Sequence, residues 1–237
     1  MKGVILAAGL GTRLRPLTET LPKVMVPIGD RPLLAYHLDL FQKYGITEIA
    51  INLHHMPQKI INYLGTGEAF GVKVQYLYES ELSGTAGAVK KLQDFLNETF
   101  IVFYGDNLTN LNIHCLADYH RTRSALVTIA VYEEPHPVDK GLVELDSGNH
   151  VRSFIEKPKV EEFAINLANA GIYVLEPEVL KYIPENQFCD FGADLFPELL
   201  QKGLLMYGYR IREYLLDIGT WGAYRQAQED WREGKLK

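Results

Sequence analysis

Two glycines and two cationic side chains near the amino terminus carry the clearest chemical meaning in this chain. Gly9-Leu10-Gly11-Thr12-Arg13 follows the apolar run Val4 to Ala8, and Lys23 comes after Pro22. The run predicts a buried parallel strand. Glycines just beyond it let the backbone approach a bulky anion and offer N–H groups to it. Arg13 and Lys23 add fixed positive charge, so the whole suits a triphosphate. Gly9-Leu10-Gly11 alone reads equally well as a tight turn after a first strand. Thr12, Arg13 and Lys23 move the balance toward phosphate binding. The dinucleotide fingerprint G-x-G-x-x-G is broken at Leu14, and a Walker A loop occurs nowhere.

Two acidic residues follow apolar runs. Gly105-Asp106-Asn107 comes after Phe100 to Tyr104, and Asp217 stands in Leu215-Leu216-Asp217-Ile218-Gly219-Thr220. Ligands of open α/β sheets bind at the carboxyl ends of strands, where an Asp can hold Mg²⁺. Each also has a plain structural reading, Asp106 as a turn residue and Asp217 or Thr220 as a helix cap. Glu156-Lys157-Pro158 ends a strand at 150–155. Its Lys suits a phosphomonoester and its Glu a sugar hydroxyl, although charged residues before Pro commonly form a solvated turn. Gly84, in Ser83-Gly84-Thr85-Ala86-Gly87, would admit a base edge or ribose close to the backbone. The same residues could simply open a helix. Asn169 reads by itself as an ordinary strand start.

The elements that must hold these residues alternate. Strands are predicted at 47–53, 72–77, 99–104 and 125–132, and helices at 32–44, 57–64, 85–96 and 113–123. Pro32 opens the first of these helices and Gly45 stops it. Such alternation predicts right-handed β-α-β units on a mostly parallel sheet with helices on both faces. Beyond residue 132 the pattern is less regular. A hairpin over 141–145 and 150–155 turns at Asp146-Ser147-Gly148-Asn149. A strand at 169–175, helices at 177–182 and 193–202, strands at 204–211 and 214–217, and a helix from 219 complete it. This half reads as an insertion built on the same sheet.

Bulk properties set limits. The chain has 237 residues, enough for one domain with a full core. The net charge of −6 disfavours a nucleic-acid surface. Cys115 and Cys189 form no C-x-x-C pair and read as buried small hydrophobes in a reducing, cytoplasmic setting. No apolar stretch approaches a membrane span. The apolar opening is too short, and too soon followed by Arg13 and Arg15, for a signal peptide. No hexapeptide repeat appears, so no carboxy-terminal β-helix domain is expected. The seven histidines have no ligand-like spacing except the adjacent pair His54-His55, and chain neighbours point different ways, which disfavours a shared metal.

Six separated elements together resemble the sugar-1-phosphate nucleotidyltransferases of the NTP-transferase type. They are Gly9 to Arg13 with Lys23, Gly84 to Gly87, Gly105-Asp106, Glu156-Lys157-Pro158, Asn169-Ala170-Gly171-Ile172-Tyr173, and Asp217 to Thr220. The resemblance implies a Rossmann-like, GT-A-like α/β domain over 1–237 with an inserted β-rich sugar lobe. Residues 1–132 would bind mainly nucleotide, and 133–237 mainly sugar phosphate while adding the final metal Asp. It implies Leu6, Ala8, Gly9, Gly11, Thr12, Arg13, Lys23, Glu79, Gly84 and Asp106 as nucleotide-binding residues. Gly141, Glu156, Lys157 and Asn169 would bind the sugar phosphate, and Asp106 and Asp217 would form a Mg²⁺ clamp. Arg13, Lys23, Asp106, Lys157 and Asp217 would be catalytic. Lys140-Gly141 stands where the family often has Tyr-Gly, and Leu82-Ser83 where it usually has Pro-Leu.

The implied reaction turns an NTP and a sugar 1-phosphate into an NDP-sugar and pyrophosphate. Ile51-Asn52-Leu53-His54-His55 and Gly84 to Gly87 look most like the mannose-1-phosphate guanylyltransferase branch, hence GTP and mannose 1-phosphate. Heptose-1-phosphate guanylyltransferases and glucose-1-phosphate thymidylyl-, uridylyl- and cytidylyltransferases are alternatives. A nucleotide-sugar-binding regulatory module without catalysis is the reading from outside the class, and retention of all five charged groups disfavours it. Neither nucleic acid nor membrane is an expected partner, and a homodimer is compatible with the sequence.

Overall fold

The first strand is shorter than its apolar run. In the computed structural model, which describes residues 1–134, 140–158 and 166–236, β1 (Lys2–Leu6) stops before Ala7. The reason is local. The Ala7 N–H donates to the Asn52 Oδ1 at 2.7 Å, and this side-chain bond replaces a sheet bond and draws the chain out of the ladder.

The remaining elements follow in order. They are α1 (Leu17–Thr20), the ribbon β2 (Pro27–Ile28) and β3 (Arg31–Pro32), α2 (Leu33–Lys43), β4 (Glu48–Leu53), α3 (Pro57–Leu64), β5 (Lys73–Tyr78) and α4 (Thr85–Lys90). Then come β6 (Phe100–Tyr104), β7 (Asn107–Thr109), α5 (Ile113–Thr122), β8 (Val127–Glu133), β9 (Leu142–Leu145), β10 (Val151–Ile155) and β11 (Leu167–Leu175). The chain closes with α6 (Phe196–Gln201), β12 (Met206–Arg210), β13 (Leu215–Asp217) and α7 (Trp221–Arg232). The elements form the mixed α/β architecture expected, a largely parallel central sheet flanked by helices.

Helix boundaries follow their signals closely where caps exist. Pro32 precedes α2, and Gly45 beyond it takes φ +73°, a value that favours glycine. Leu33, Leu34, Leu38 and Phe41 bury one stripe of α2. By contrast, α4 ends at Lys90 rather than near residue 96. Tighter i→i−3 bonds, Leu92 to Val89 and Gln93 to Lys90, continue the chain, and Leu92 and Leu96 still reach the core. Residues 177–182 form 3₁₀ turns, and a π-helical turn at Phe191–Leu195 leads into α6.

The chain divides into two compact units. The first comprises Met1–Leu82, Phe103–Asn112 and Glu213–Lys237. In it β1, β4 and β5 pair in parallel, Val4 opposite Ala50 and Ile51 opposite Tyr76, and the end of β6 lies on the other side of β1. The strand order therefore reverses at β1, where open α/β sheets place their ligands. Gly105 N donates to Leu6 O at 2.9 Å, so the segments following β1 and β6 leave at one edge. A core of Leu14, Val26, Ile28, Leu33, Leu108, Ile218 and Ala227 locks the opening loop, the ribbon and α7 together.

The second unit comprises Ser83–Val102 and Ile113–Arg212. Here β11 pairs antiparallel with β8 and β9, β9 pairs antiparallel with β10, and β8 pairs in parallel with β12. The hairpin turn forms as expected. Asp146 Oδ1 accepts from Gly148 N and His150 N, each at 2.9 Å. The β8–β11 ladder shifts register between Asn169 and Tyr173, where Gly171 adopts φ +64°.

Candidate active site

The site in the first unit is built on the exits of β1 and β6. Gly9, Leu10, Thr12 and Arg13 are exposed, while Leu14 anchors the loop in the core. Gly11 takes φ +62°, and a β-carbon there would lie 2.9 Å from Thr18 Cγ2 and 3.1 Å from Lys23 Cβ. Only glycine brings the loop this close to Lys23. Thr18 Oγ1 and Leu14 N both donate to Gly11 O, at 2.7 and 2.9 Å, and fix the turn.

Lys23 is 9% exposed, and its ammonium pairs with the Asp106 carboxylate. Asp106 is joined in turn to the far end of the chain. β13 pairs antiparallel with β7, Asp217 opposite Asn107, and Ile218 N donates to Asp106 O at 2.8 Å. A β-carbon on Gly219 would lie 2.9 Å from both Arg13 Nη2 and Asp217 Oδ1. Trp221 Nε1 donates to Arg15 O at 3.0 Å, tying the start of α7 to the opening loop. The β7–β13 ribbon, whose β7 is not among the expected strands, thus joins the Lys23–Asp106 pair to the segment that carries Asp217 and meets Arg13 at Gly219. Two carboxylates are hard oxygen donors, the set that suits Mg²⁺ shared with phosphates rather than a closed protein cage. Among the described residues no cluster of three or more His, Cys, Asp or Glu side chains could hold a metal.

Two buried polar residues brace this edge. Asn52, 4% exposed, accepts from Ala7 N and donates through Nδ2 to Glu79 Oε2 at 2.8 Å. It ties the start of the glycine loop to the residue following β5. Glu79 is 2% exposed, and a contact seen for its carboxylate is this brace to Asn52. The signal for Asn52 was available as one amide inside an apolar strand.

His37 is the second brace. Its Nε2 lies 2.5 Å from Asn107 O, and as the neutral imidazole it donates there. Burial pushes its pKa down to about 4, against a smaller opposing contribution from the Asn107 bond. Its Nδ1 has no hydrogen-bond partner among the described residues, so a second proton would be buried unsatisfied. The unfolded chain binds a proton near pH 6.5 that the fold refuses until about pH 4, so stability is lost as pH is lowered through that window. The His37 contribution should approach ~1.4 kcal/mol per pH unit below the unfolded value. Urea melts of the chain and of His37→Gln at pH 7 and pH 5 test this. An equal loss in both proteins would contradict it.

The second unit holds the other expected residues. Asn169 N donates to Gly141 O at 2.8 Å, and Gly141 lies against Glu156, whose Oε2 is 2.9 Å from where its β-carbon would be. Lys157 Nζ is 3.6 Å from Glu156 Oε1, and Lys157 takes φ +43°, uncommon outside glycine. The Asn169 side chain is largely used within its own strand, donating to Tyr173 Oη at 2.7 Å and accepting from Gly171 N at 2.9 Å. Its second amide N–H is what it can offer a sugar hydroxyl. Gly84 takes φ +79°, and a β-carbon there would collide with the backbone of Cys189. Packing alone therefore requires glycine, whatever lies against its backbone.

The family model for nucleotidyl transferases matches residues 2–234. The chain belongs to that family. Among curated nucleotidyl transferases it is 38% identical over 241 residues to a UTP–glucose-1-phosphate uridylyltransferase of Synechocystis, covering 96% of this chain and 62% of that protein. It is 34% identical over 225 residues to a mannose-1-phosphate guanyltransferase of Saccharomyces cerevisiae, covering 92% and 61%. The chain thus spans about three-fifths of the length of these relatives. Among solved structures, HddC from Yersinia pseudotuberculosis complexed with GMP-PN superposes with a TM-score of 0.82 at 27% identity, covering 97% of this chain and 99% of that one. Among the described residues no helix is long and apolar enough to cross a membrane.

Proposed function

We propose that this nucleotidyl transferase is a cytoplasmic, Mg²⁺-dependent enzyme that moves a nucleotidyl group from an NTP to a sugar 1-phosphate and releases pyrophosphate. The observation that carries the reading is the convergence of Arg13, Lys23, Asp106 and Asp217 at the β1 and β6 exits.

The chemistry needs no protein base. A phosphomonoester has a second pKa near ~6, so the attacking oxygen is already anionic at neutral pH. The barrier lies in bringing two anions together and in the charge that grows on the departing pyrophosphate. Positioned cations and N–H donors answer both. The backbone of Leu6, Ala8, Gly9, Gly11 and Thr12 would cradle the nucleotide, with Arg13 on the pyrophosphate and Lys23 on the triphosphate. Lys23 neutralises Asp106 in the arrangement seen, and a triphosphate would give its ammonium further anionic partners. Asp106 and Asp217 would hold Mg²⁺, which when bound stabilises negative charge on the phosphoryl oxygens. Lys157 would hold the sugar phosphate, with Gly141, Glu156 and Asn169 on the sugar and Gly84 and Glu79 on the base.

For the substrate pair we favour GTP with mannose 1-phosphate. Support comes from the guanyltransferase relative and the GMP-PN complex of HddC. The uridylyltransferase relative supports UTP with glucose 1-phosphate as the second reading. The test is pyrophosphate release in Mg²⁺ from GTP, UTP, dTTP, CTP and ATP, each against mannose, glucose and heptose 1-phosphates. Fastest release from GTP and mannose 1-phosphate is expected. A pyrimidine nucleotide used tenfold better overturns the guanylyl assignment. Binding without release from any pair overturns the enzyme and favours a regulatory module.

A further inference from the structure

We infer that the turn Cys189–Gly192 positions two substrate-binding elements of the second unit, Asp190 setting the Gly84 loop and Gly192 seating the Glu156 carboxylate. The inference rests on the nucleotidyltransferase reading above.

The Ser83–Gly87 loop is stitched to this distant turn. Cys189 N donates to Ser83 O and Gly87 N to Cys189 O, each at 2.9 Å. Thr85 N and Thr85 Oγ1 both donate to Asp190 Oδ1, at 3.0 and 2.8 Å, and Phe191 N donates to Thr85 Oγ1 at 2.9 Å. Gly84, at the cap position of α4, has no side chain to satisfy the first N–H groups, and Asp190 supplies that acceptor from elsewhere in the chain. Asp190 is itself held, its N–H donating to Asp194 Oδ2 at 2.7 Å across the π-helical turn.

The same turn reaches Glu156. A β-carbon on Gly192 would collide with Glu156 Oε2 and lie 2.8 Å from Phe154 Cε1. The carboxylate is therefore seated between Gly192 and Gly141. Phe191 packs on Tyr173 and Phe196, with ring centroids 4.9 and 5.5 Å apart, so the turn has little room to shift when either glycine or Asp190 is changed. One turn thus carries two separable functions. Its Asp190 acts on the nucleotide loop, and its Gly192 acts on the Glu156 carboxylate that would meet the sugar.

Steady-state kinetics of Asp190→Ala, Asp190→Asn and Gly192→Ala in the full chain test this. GTP and mannose 1-phosphate are varied in turn, or UTP and glucose 1-phosphate if that pair turns over faster. Asp190→Ala should raise the KM for the NTP about tenfold and leave that for the sugar phosphate within about twofold. Asp190→Asn keeps an Oδ1 acceptor and should recover most of the loss. Gly192→Ala should show the opposite split. Thr85→Val, which removes only the hydroxyl, should reproduce the Asp190→Ala pattern if that variant folds poorly. Both KM values moving together in step with Tm, or Asp190→Asn as damaging as Asp190→Ala, overturns the inference while the enzyme reading stands. Absence of pyrophosphate release from the unsubstituted chain overturns both.

Discussion

Asp106→Asn and Asp217→Asn are each expected to lower turnover at least ~10²-fold at saturating Mg²⁺, the scale for removing one group that stabilises developing charge. The two residues are far apart in sequence, and the β7–β13 ribbon pairs Asn107, next to Asp106, with Asp217. Asn keeps the shape and loses the charge that a hard cation requires. The substitutions should differ in stability. Asp106→Asn leaves the nearly buried Lys23 ammonium without its carboxylate, so Tm should fall although the fold persists. Lys23→Met in the Asp106→Asn background should recover part of that Tm and none of the turnover. Pyrophosphate release and thermal melts measure both effects. Wild-type turnover in either Asn variant at saturating Mg²⁺ would remove that residue from the metal clamp.

Arg13→Ala and Lys23→Ala should each cost on the order of 10²-fold, and the double variant should lose less activation free energy than the sum of the single losses. Gly11 brings the loop against the Lys23 stem, and Gly219 lies beside the Arg13 guanidinium, an arrangement that suits the proposed single anion site. Arg13→Ala should act mainly on kcat, because charge on the pyrophosphate grows in the transition state. Lys23→Ala should also weaken NTP binding, and its loss should be coupled to Asp106 through their ion pair. A double-mutant cycle with calorimetric titration of GTP separates these effects. Strict additivity, with NTP affinity untouched by Lys23→Ala, would reduce Lys23 to a structural partner of Asp106.

Local order was legible because it is written in short-range pattern. Pro32 and Gly45 bracket α2, Pro57 and Gly65 bracket α3, and the Asp146 turn joins β9 to β10. These are effects of a few neighbouring residues on backbone angles. Departures came where a side chain outcompeted the backbone ladder, as when Asn52 ends β1 at Leu6. They also came where a helical stretch met its burial with tighter turns, as beyond Lys90.

The sequence by itself determined the strand-then-glycine opening, the α/β alternation, and the residues able to do phosphate chemistry. All of these depend on residue type and on periods of two or 3.6. Only the tertiary structure decided which of those residues meet. β7, just after Asp106, meets β13, which ends at Asp217, because Leu14, Leu108 and Ile218 pack in one apolar core. The same holds for Asn52 on Glu79, Asp190 on Thr85, and Gly192 against Glu156. Buried polar groups must find partners, but no periodicity says which, because that depends on what the folded core leaves within hydrogen-bond reach.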